Sequence, residues 1–359
     1  MTRDTQTQTE PLVVTSTEES SGKTAVTLAL ALVAADRGER VGYMKPKGTR
    51  LQSTVGKTLD RDPMLAREVL GLDDAVHEME PVVYSPTFVS EAIRGGERPG
   101  EIRERVREAY RSLAAERTTM LVEGGGRYTT GGVVDLTDGD VAEMLDGEAV
   151  LVAPYRTPND VDEVLAAAES LGDRLRAVLL NRVPEEERSA VAGDVMPYLE
   201  SQGIPVAGAL PNQRELAGVT VADLVDELGG ELLTDAPTDG FVDRFVVGAM
   251  SGEEALRFFR RTTDAAVITG GDRADVHAAA IEAPGVRCLV VTGGHRPSSS
   301  VLGRAAERDL PVLALSGDTL STVERAEDVV RAGRTRDERT VRRMKDLLVE
   351  HVDVETLLG

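Results

Sequence analysis

The amino-acid sequence predicts an α/β fold, with a buried parallel sheet in a large first domain and a second, smaller α/β domain. Continuous runs of Val, Leu and Ala indicate strands that are buried on both faces. Helical patterns separate most of these runs, which indicates crossover connections between parallel strands. The chain of 359 residues is also long for a single hydrophobic core. We therefore expect two domains, each with its own core.

Strands and helices alternate through the first domain. Short apolar runs bounded by turn-forming residues are predicted as strands, and longer segments with amphipathic spacing are predicted as helices. In chain order, the predicted elements are the strand PLVVTS, the helix Lys23–Arg37, the strand RVGYMKP, the helices Pro63–Leu70 and Glu101–Arg117, the strands TMLVEG and EAVLVAP, the helix Asp160–Leu171, the strand RAVLLNRV, the helix Glu186–Gln202 and the strand PVAGALP.

The second domain repeats this alternation on a smaller scale, with strands predicted in FVVGAM, AAVITGG, VRCLVVTGG and PVLALSG. Between the two domains, Thr234–Gly240 is polar and rich in residues that break helices and strands, so we expect the linker there. The predicted domains are residues 11–233 and 241–359. Residues 1–10 are almost entirely polar and are expected to form a flexible tail.

The charge of the chain restricts its partners. It has 62 acidic and 41 basic residues, a formal net charge of -21, and only five of the basic residues are Lys. A field this negative repels nucleic acid and anionic membranes, so neither is expected as a partner. Few lysines and many acidic and small residues favour a halophilic source, where salt screens self-repulsion. An ordinary acidic protein is the alternative.

The sequence also predicts a cytoplasmic location. The single cysteine, Cys288, lies in the apolar run VRCLVV and is expected to be a buried structural thiol. A single cysteine cannot form an intramolecular disulfide, which indicates a reducing compartment. No early segment combines a basic start with an apolar stretch, and no apolar run reaches about 18 residues.

The segment VVTSTEESSGKTAVTLALALVAADRG, residues 13–38, predicts a phosphate-binding loop between a strand and a helix. Gly22 allows close backbone approach, Lys23 can reach the outer phosphates, and the Thr24 hydroxyl can bind Mg²⁺. Thr17 stands where the pattern G-x-x-x-x-G-K-[ST] has its first glycine, which weakens the match. The alternative is a capped helix with a solvated lysine. The nucleotide-binding residues predicted here are Ser20, Ser21, Gly22, Lys23, Thr24 and Ala25.

Two carboxylates and a second lysine are candidates for the same site. Glu123 ends a predicted buried strand and precedes three glycines, a position where open α/β sheets bind ligands. Asp62, in LDRDPML, is a second hard oxygen ligand of the kind that Mg²⁺ prefers. Lys45 ends the strand RVGYMKP and, with Lys23, is a candidate catalytic residue that stabilises charge. The alternatives are a turn-capping glutamate, an aspartate without a role in the site and a solvated lysine.

The blocks that carry a resemblance are, in the first half, VTSTEESSGKT, GYMKPKG, DRDPMLAREVLGL, LVEGGG, AVLLNRVP and IPVAGALPNQRELAGVTVADLVDELGG, and in the second half FVVGAMSGEEALRFFRR, AAVITGGDRADVHAAA, LVVTGG, RPSSSVL and LPVLALSGDTLSTVE. The first set resembles the dethiobiotin synthetase-like P-loop domain at the N-terminus of long bacterial phosphate acetyltransferases. The second set is similar to the DRTGG domain that follows it in those enzymes. The resemblance covers residues 11–353. It implies a parallel-sheet P-loop NTPase-like domain that binds ATP and Mg²⁺, followed by a smaller α/β DRTGG domain.

The resemblance to dethiobiotin synthetase also implies roles for individual residues. The matching positions are Lys23 for the phosphate-binding lysine, Thr24 for the magnesium-binding hydroxyl, Asp62 and Glu123 for the two metal-binding carboxylates, Lys45 for the lysine near the reacting carboxylate and phosphate, and Asn181 for an asparagine that reads the adenine edge. An Asx turn is the alternative for Asn181.

The departures from the family pattern concern the substrate region. Ser16 replaces the first glycine of the dethiobiotin synthetase loop, and GGGRYTTGG replaces the segment that helps frame its diamine substrate. We expect nucleotide binding to survive these changes more readily than carboxylation. The long phosphate acetyltransferases continue into a catalytic domain beyond the point that matches Gly359, so acetyl transfer by this chain is not expected.

Two similar loops of the second domain, TGGDR and TGGHR, directly follow predicted strands, where ligand contacts are common. Their arginines and backbone amides could hold an anionic small molecule. Glycines that only form turns are the alternative. The candidate residues are Asp272, Arg273, Thr292, Gly293, Gly294 and Arg296.

Three functions are compatible with these observations. The first is a regulatory or sensor protein that binds ATP and Mg²⁺, with slow hydrolysis allowed. The second is an ATP-dependent ligase of the dethiobiotin synthetase or amide-forming class that acts through a carboxyl phosphate. The third is a protein that has lost nucleotide binding and docks an acetyl- or acyl-CoA enzyme. A homo-oligomer is expected in each case.

Overall fold

The computed structural model describes residues 9–49, 51–54, 57–213, 216, 218–332 and 337–359. Of the predicted tail, residues 1–8 lie outside the described residues. The contacts of the chain divide it into two units, Met1–Asn212 together with Thr335–Gly359, and Gln213–Arg334. Neither unit has a described helix that is long and apolar enough to cross a membrane.

The first unit is built around a parallel six-stranded sheet, which confirms the predicted fold class. The strands lie in the order β10-β9-β8-β1-β7-β2, and all neighbours pair in parallel. Two short pairs, β3 with β6 and the hairpin of β4 and β5, lie outside this sheet. The strands are β1 (Pro11–Ser16), β2 (Val41–Met44), β3 (Lys47–Gly48), β4 (Leu51–Thr54), β5 (Lys57–Asp60), β6 (Val82–Val83), β7 (Thr119–Glu123), β8 (Glu148–Pro154), β9 (Leu175–Val183) and β10 (Val206–Pro211).

The helices of the first unit largely follow the predicted pattern. The helix predicted at Glu186–Gln202 is interrupted by a π-helical turn at Val191–Val195, where Pro197 has no N–H for the regular hydrogen bond. The hairpin of β4 and β5 and the helix α4, which begins after the capping residue Ser85, were not predicted. The helices are α1 (Lys23–Asp36), α2 (Arg61–Leu70), α3 (Val76–Met79), α4 (Pro86–Ile93), α5 (Pro99–Ala114), α6 (Asp138–Met144), α7 (Asp160–Leu171), α8 (Arg188–Ala190) and α9 (Met196–Ser201).

The second unit has its own five-stranded sheet in the order β12-β17-β16-β15-β14. β14 to β17 are parallel, and β12 pairs with β17 in the antiparallel sense. Cys288 is buried in the core of this sheet. The elements are β11 (Val219–Thr220), α10 (Val221–Leu228), β12 (Glu231–Leu232), β13 (Phe241–Val242), β14 (Arg244–Val247), α11 (Gly252–Phe259), β15 (Ala265–Gly270), α12 (Ala274–Glu282), β16 (Val286–Thr292), α13 (Ser299–Ala306), β17 (Val312–Ala314) and α14 (Thr319–Ala332).

The C-terminal helices α15 (Glu338–His351) and α16 (Val354–Leu358) return to the first unit. The main-chain N–H of Asp353 donates to the carbonyl of Ala207 on β10 at 2.9 Å. The division therefore falls elsewhere than at the linker predicted for Thr234–Gly240. β11 and β12 precede that segment in the chain, yet β11 pairs with β13 and β12 pairs with β17. Strand pairing therefore decides which unit these residues join, although residues 234–240 are rich in residues that break helices and strands.

The parallel sheet explains where a site can form in the first unit. Because all six strands run in one direction, their carboxyl ends lie at one edge. The loop after β1, Lys45 after β2, Glu123 at the end of β7 and Asn181 near the end of β9 all belong to that edge. Open α/β sheets bind their ligands at this edge.

Candidate functional site

The phosphate-loop segment spans residues 16–23, between β1 and α1. Gly22 has φ 96°, a left-handed conformation that favours glycine, and Ser20 has φ 53°. The carbonyl of Gly22 accepts the first helical hydrogen bond, from Val26 N–H at 3.0 Å. The Ser21 hydroxyl is buried and has no hydrogen-bond partner among the described residues. The loop thus leaves one polar group available to a ligand.

Lys23 is buried and its ammonium group lies inside the loop. It donates to the Ser16 hydroxyl at 2.8 Å and to the Gly126 carbonyl at 2.5 Å. Burial lowers the pKa of Lys23 to about 8, against the opposing effect of the Asp138 and Glu123 carboxylates. Ser16 therefore supplies a contact to the lysine.

Thr24 and Glu123 lie in direct contact, as the sequence predicts for two ligands of one metal. The Thr24 hydroxyl donates to Glu123 Oε1 at 2.7 Å, and the Tyr43 hydroxyl donates to Oε2 at 2.8 Å. Burial, reinforced by the charge of Asp62, raises the pKa of Glu123 to about 7. Tyr43 was missed at the sequence level because nothing in an apolar strand distinguishes a tyrosine that faces a site.

Lys45 is buried among three carboxylates. Its ammonium lies 2.7 Å from Asp60, in contact with Asp62, and 3.7 Å from Glu123. Burial alone would lower the pKa of Lys45, but the three carboxylates outweigh it and raise the pKa. The surrounding carboxylates therefore favour the charged form of Lys45. The structure brings together Lys23, Thr24, Lys45, Asp62 and Glu123, all predicted from the sequence.

A second buried ion pair lies behind the loop and was not predicted. Lys47 donates to Asp138 Oδ1 at 2.6 Å, and Thr15 on β1 donates to Oδ2 at 2.5 Å. A Cβ on Gly124 would lie 2.1 Å from Asp138 Oδ2, so a larger residue there would displace the Asp138 carboxylate. The sequence does carry one signal of a specific role for Lys47, since it is one of only five lysines in the chain.

Asn181 contacts the loop itself. Its Nδ2 donates to the Ser21 carbonyl at 2.8 Å, and its Oδ1 accepts from the main-chain N–H of Arg182 at 2.8 Å. The side chain is 4% exposed. The role of Asn181 in reading adenine stays a prediction, since both ends of its amide are used within the protein.

The donor set fits a magnesium nucleotide. Among the described residues, no group of three His, Cys, Asp or Glu side chains is arranged to hold a metal ion unaided. Mg²⁺ often has only one or two protein carboxylates, with phosphate oxygens and water as its other ligands. Thr24, Asp62 and Glu123 are hard oxygen donors of this kind, and Lys23 and the Ser21 hydroxyl suit phosphate.

The candidate loops of the second unit lie side by side. The main-chain N–H of Gly271 donates to the Thr292 carbonyl at 3.0 Å, and a Cβ on Gly271 would lie 1.8 Å from the His295 carbonyl. Gly293 and Gly294 have φ 79° and 70°. These glycines allow the loops to turn and to approach each other closely.

The two arginines of these loops already have partners. Arg273 donates to the Met250 carbonyl at 2.6 Å and to Asp275 at 3.2 Å. Arg296 forms an ion pair with Glu231. An anion would have to compete with these contacts, so the ligand predicted for this unit stays a prediction.

Two family models match the chain. The family model AAA_26, described as an AAA domain, matches residues 10–220, and the model of the DRTGG domain matches residues 223–329. The ATP-dependent dethiobiotin synthetase BioD of Parafrankia sp. (strain EAN1pec) is 34% identical over 213 residues, 58% of this chain and 86% of that protein. The phosphate acetyltransferase of Haemophilus influenzae is 24% identical over 335 residues, 84% of this chain and 46% of that protein. The chain thus spans about half the length of that acetyltransferase.

Among solved structures, the MinC:MinD cell division protein complex of Aquifex aeolicus has a TM-score of 0.36 and 18% sequence identity. The match covers 58% of this chain and 83% of that chain.

Proposed function

The chain belongs to the AAA_26 family of AAA domains, with a DRTGG domain after it, and from this premise we propose that its first unit binds ATP with Mg²⁺ and that the protein acts as a nucleotide-responsive regulator. The resemblance predicted from the sequence, to the dethiobiotin synthetase-like P-loop domain followed by the DRTGG domain, is confirmed for both domains. We expect no acetyl transfer from residues 10–329, which match these two domains.

One observation supports the proposal above the others. Lys23 and Thr24 from one part of the chain and Glu123 from another meet at the carboxyl edge of the sheet, with the Thr24 hydroxyl 2.7 Å from Glu123. A cation for phosphate and hard oxygens for Mg²⁺ are thus adjacent. In the bound state, Lys23 would exchange its contacts with Ser16 and Gly126 for phosphate oxygens. Thr24, Asp62 and Glu123 would hold Mg²⁺, which neutralises phosphate charge when bound.

The charge around Lys45 bears on the choice between a regulator and a ligase. A ligase that acts through a carboxyl phosphate must bring an anionic carboxylate beside the outer phosphate. Lys45 is the candidate cation for that anion, but Asp60, Asp62 and Glu123 already lie within 3.7 Å of its ammonium group or in direct contact with it. Without Mg²⁺, a further anion would meet net negative charge there, which opposes its binding, whereas Mg²⁺ held by Asp62 and Glu123 would offset that charge.

The ligase remains the second candidate, because the dethiobiotin synthetase of Parafrankia is 34% identical over 86% of its length. A burst of ADP that depends on a carboxylate or diamine substrate would favour it. ATP binding without such a burst favours the regulator.

ATP binding by isothermal titration calorimetry tests the proposal. We expect binding in molar KCl that requires Mg²⁺ and is lost in Lys23→Ala, because the buried ammonium is the only loop cation placed for phosphate among the described residues 16–23. Lys345→Ala is the matched control, since this lysine lies on α15 and pairs with Asp36.

Two results would contradict the proposal. Binding that is equal in the native protein and in Lys23→Ala would show that ATP binds elsewhere. No binding in either protein would remove both nucleotide functions and favour the docking of an acetyl- or acyl-CoA enzyme.

A further inference from the structure

Two neighbouring side chains near the end of β9 hold the backbone of the phosphate loop. Asn181 donates from Nδ2 to the Ser21 carbonyl at 2.8 Å, and the Arg182 guanidinium donates to the Ser20 carbonyl. Each contact joins residues about 160 positions apart in the chain. Two consecutive carbonyls of the loop are therefore drawn to the same side, toward β9.

Because peptide bonds are planar, the directions of these two carbonyls fix the directions of the N–H groups that follow them. In a trans peptide, the C=O of one residue and the N–H of the next point in opposite directions. The described residues contain no cis peptide bond. When the carbonyls of Ser20 and Ser21 point toward β9, the N–H groups of Ser21 and Gly22 must point away from it. Successive N–H groups that point to one side of a loop form the concavity that binds phosphate.

The backbone on both sides of the contact is in the left-handed region. Ser20 has φ 53° and Arg182 has φ 59°, although neither is glycine. Such residues persist only where surrounding contacts hold them, and they cluster at ligand sites. Gly22 is confined from the same direction, because a Cβ there would lie 2.8 Å from Asn181 Nδ2.

The donors themselves are held in place. Asn181 Oδ1 accepts from the main-chain N–H of Arg182 at 2.8 Å, and the Asn181 carbonyl accepts from Tyr155 N–H at 2.8 Å. Asn181 also lies in register with Pro154 of β8. The Asn181–Arg182 pair is thus a fixed part of the sheet edge rather than a mobile surface feature.

We propose that the Asn181–Arg182 pair positions the phosphate-binding amides of Ser21 and Gly22, and that the guanidinium of Arg182 is a positioning residue for the phosphate chain of a nucleoside diphosphate or triphosphate. The inference rests on the proposed function. It explains how the loop keeps a binding conformation although Ser16 and Thr17 stand where a glycine is expected. Arg182 acts through the loop backbone and not by contact with reacting atoms.

Variants of Arg182 test this inference in the full-length protein. Arg182→Gly removes the guanidinium but tolerates φ 59°, so the fold is not strained by the change. We expect its affinity for ADP with Mg²⁺ to fall about tenfold, because binding must then also order the loop amides, while the midpoint of thermal unfolding changes by no more than a few degrees. Arg182→Lys, which can still donate to the carbonyl, should recover part of the affinity. Arg188→Ala is the control, because Arg188 pairs with Glu185 on the surface.

The outcomes separate this inference from the proposed function. If the native protein binds ADP and Arg182→Gly binds it equally well, the positioning role is wrong and nucleotide binding stands. If Arg182→Gly loses affinity only together with a large drop in the unfolding midpoint, and Arg182→Lys restores neither, the contact is merely structural and the inference fails. If the native protein binds neither ADP nor ATP with Mg²⁺, both are overturned.

Discussion

Glu80 is a buried carboxyl group that lies next to the candidate site but outside its predicted ligand set. Its Oε2 accepts from the main-chain N–H of Asp60 at 3.0 Å, while Oε1 has no partner among the described residues. Oε1 also lies where a Cβ on Gly48 would be. Burial raises the pKa of Glu80 from 4.5 to about 7. The folded protein therefore binds this proton more tightly than the unfolded chain does.

The sign of this shift predicts the effect of Glu80→Gln. Below pH 4.5 the group is protonated in both states, and above about pH 7 it is ionised in both, so its destabilising effect develops as the pH rises between these values. Gln resembles the protonated form and does not titrate. We expect the free energy of unfolding of Glu80→Gln to exceed that of the native protein by about 1 kcal/mol at pH 8, because solvent partly screens the buried charge. Near pH 4.5 we expect no difference.

Urea unfolding at several pH values measures this difference. Glu91→Gln is the control for the loss of a carboxylate, since Glu91 is exposed on α4. A stability gap that is constant with pH, or one that is larger at low pH, would contradict the expectation.

At the scale of elements, α15 shows what a sequence pattern can and cannot predict. Its buried residues recur at helical spacing and predict a helix with one apolar face. This pattern does not predict which hydrophobic core the apolar face packs against, because such a face can pack against either one. The helix follows the second unit in the chain but packs in the first. The buried residues of α15 are Val341, Met344, Leu347 and Leu348.

Leu348→Ala tests which unit depends on α15. Leu348 is fully buried, so its truncation should destabilise the first unit by about 2–5 kcal/mol. Hydrogen exchange should become faster in β1 and α1 but not in β15 and β16 of the second unit. Val349→Ala is the matched control, because Val349 is the next residue and is 62% exposed. Equal acceleration in both units, or in the second unit alone, would contradict this assignment.

The residues of the candidate site could be predicted where they belong to a short motif or stand at the end of a recognisable strand. Lys23 and Thr24 belong to one motif, and Glu123 stands at the end of an apolar strand. The contacts of Arg182 with Ser20 and of Lys47 with Asp138 were not predictable in the same way. They join residues about 160 and 91 positions apart, and which of many arginines or lysines reaches a given partner depends on the register of the sheet.

For the whole molecule, the formal net charge of -21 opposes compactness. Many ion pairs are exposed, such as Arg257 with Glu253, and such pairs contribute little individually. We expect the midpoint of thermal unfolding to rise by several degrees when KCl increases from about 0.1 M to about 1 M, where the Debye length falls to about 3 Å. A parallel series in NaCl controls for specific effects of potassium. A midpoint that falls or does not change with salt would show that self-repulsion is not significant.

The return of the chain from the second unit to the first has a consequence for biosynthesis. The second unit is one continuous segment, Gln213–Arg334, and all of it is translated before α15. The first unit lacks the helix that covers part of its core until residues 338–351 are made. Its apolar surface therefore stays incompletely covered until after every residue of the second unit has been made. In the newly made protein, the unit that is translated first is the last to be completed.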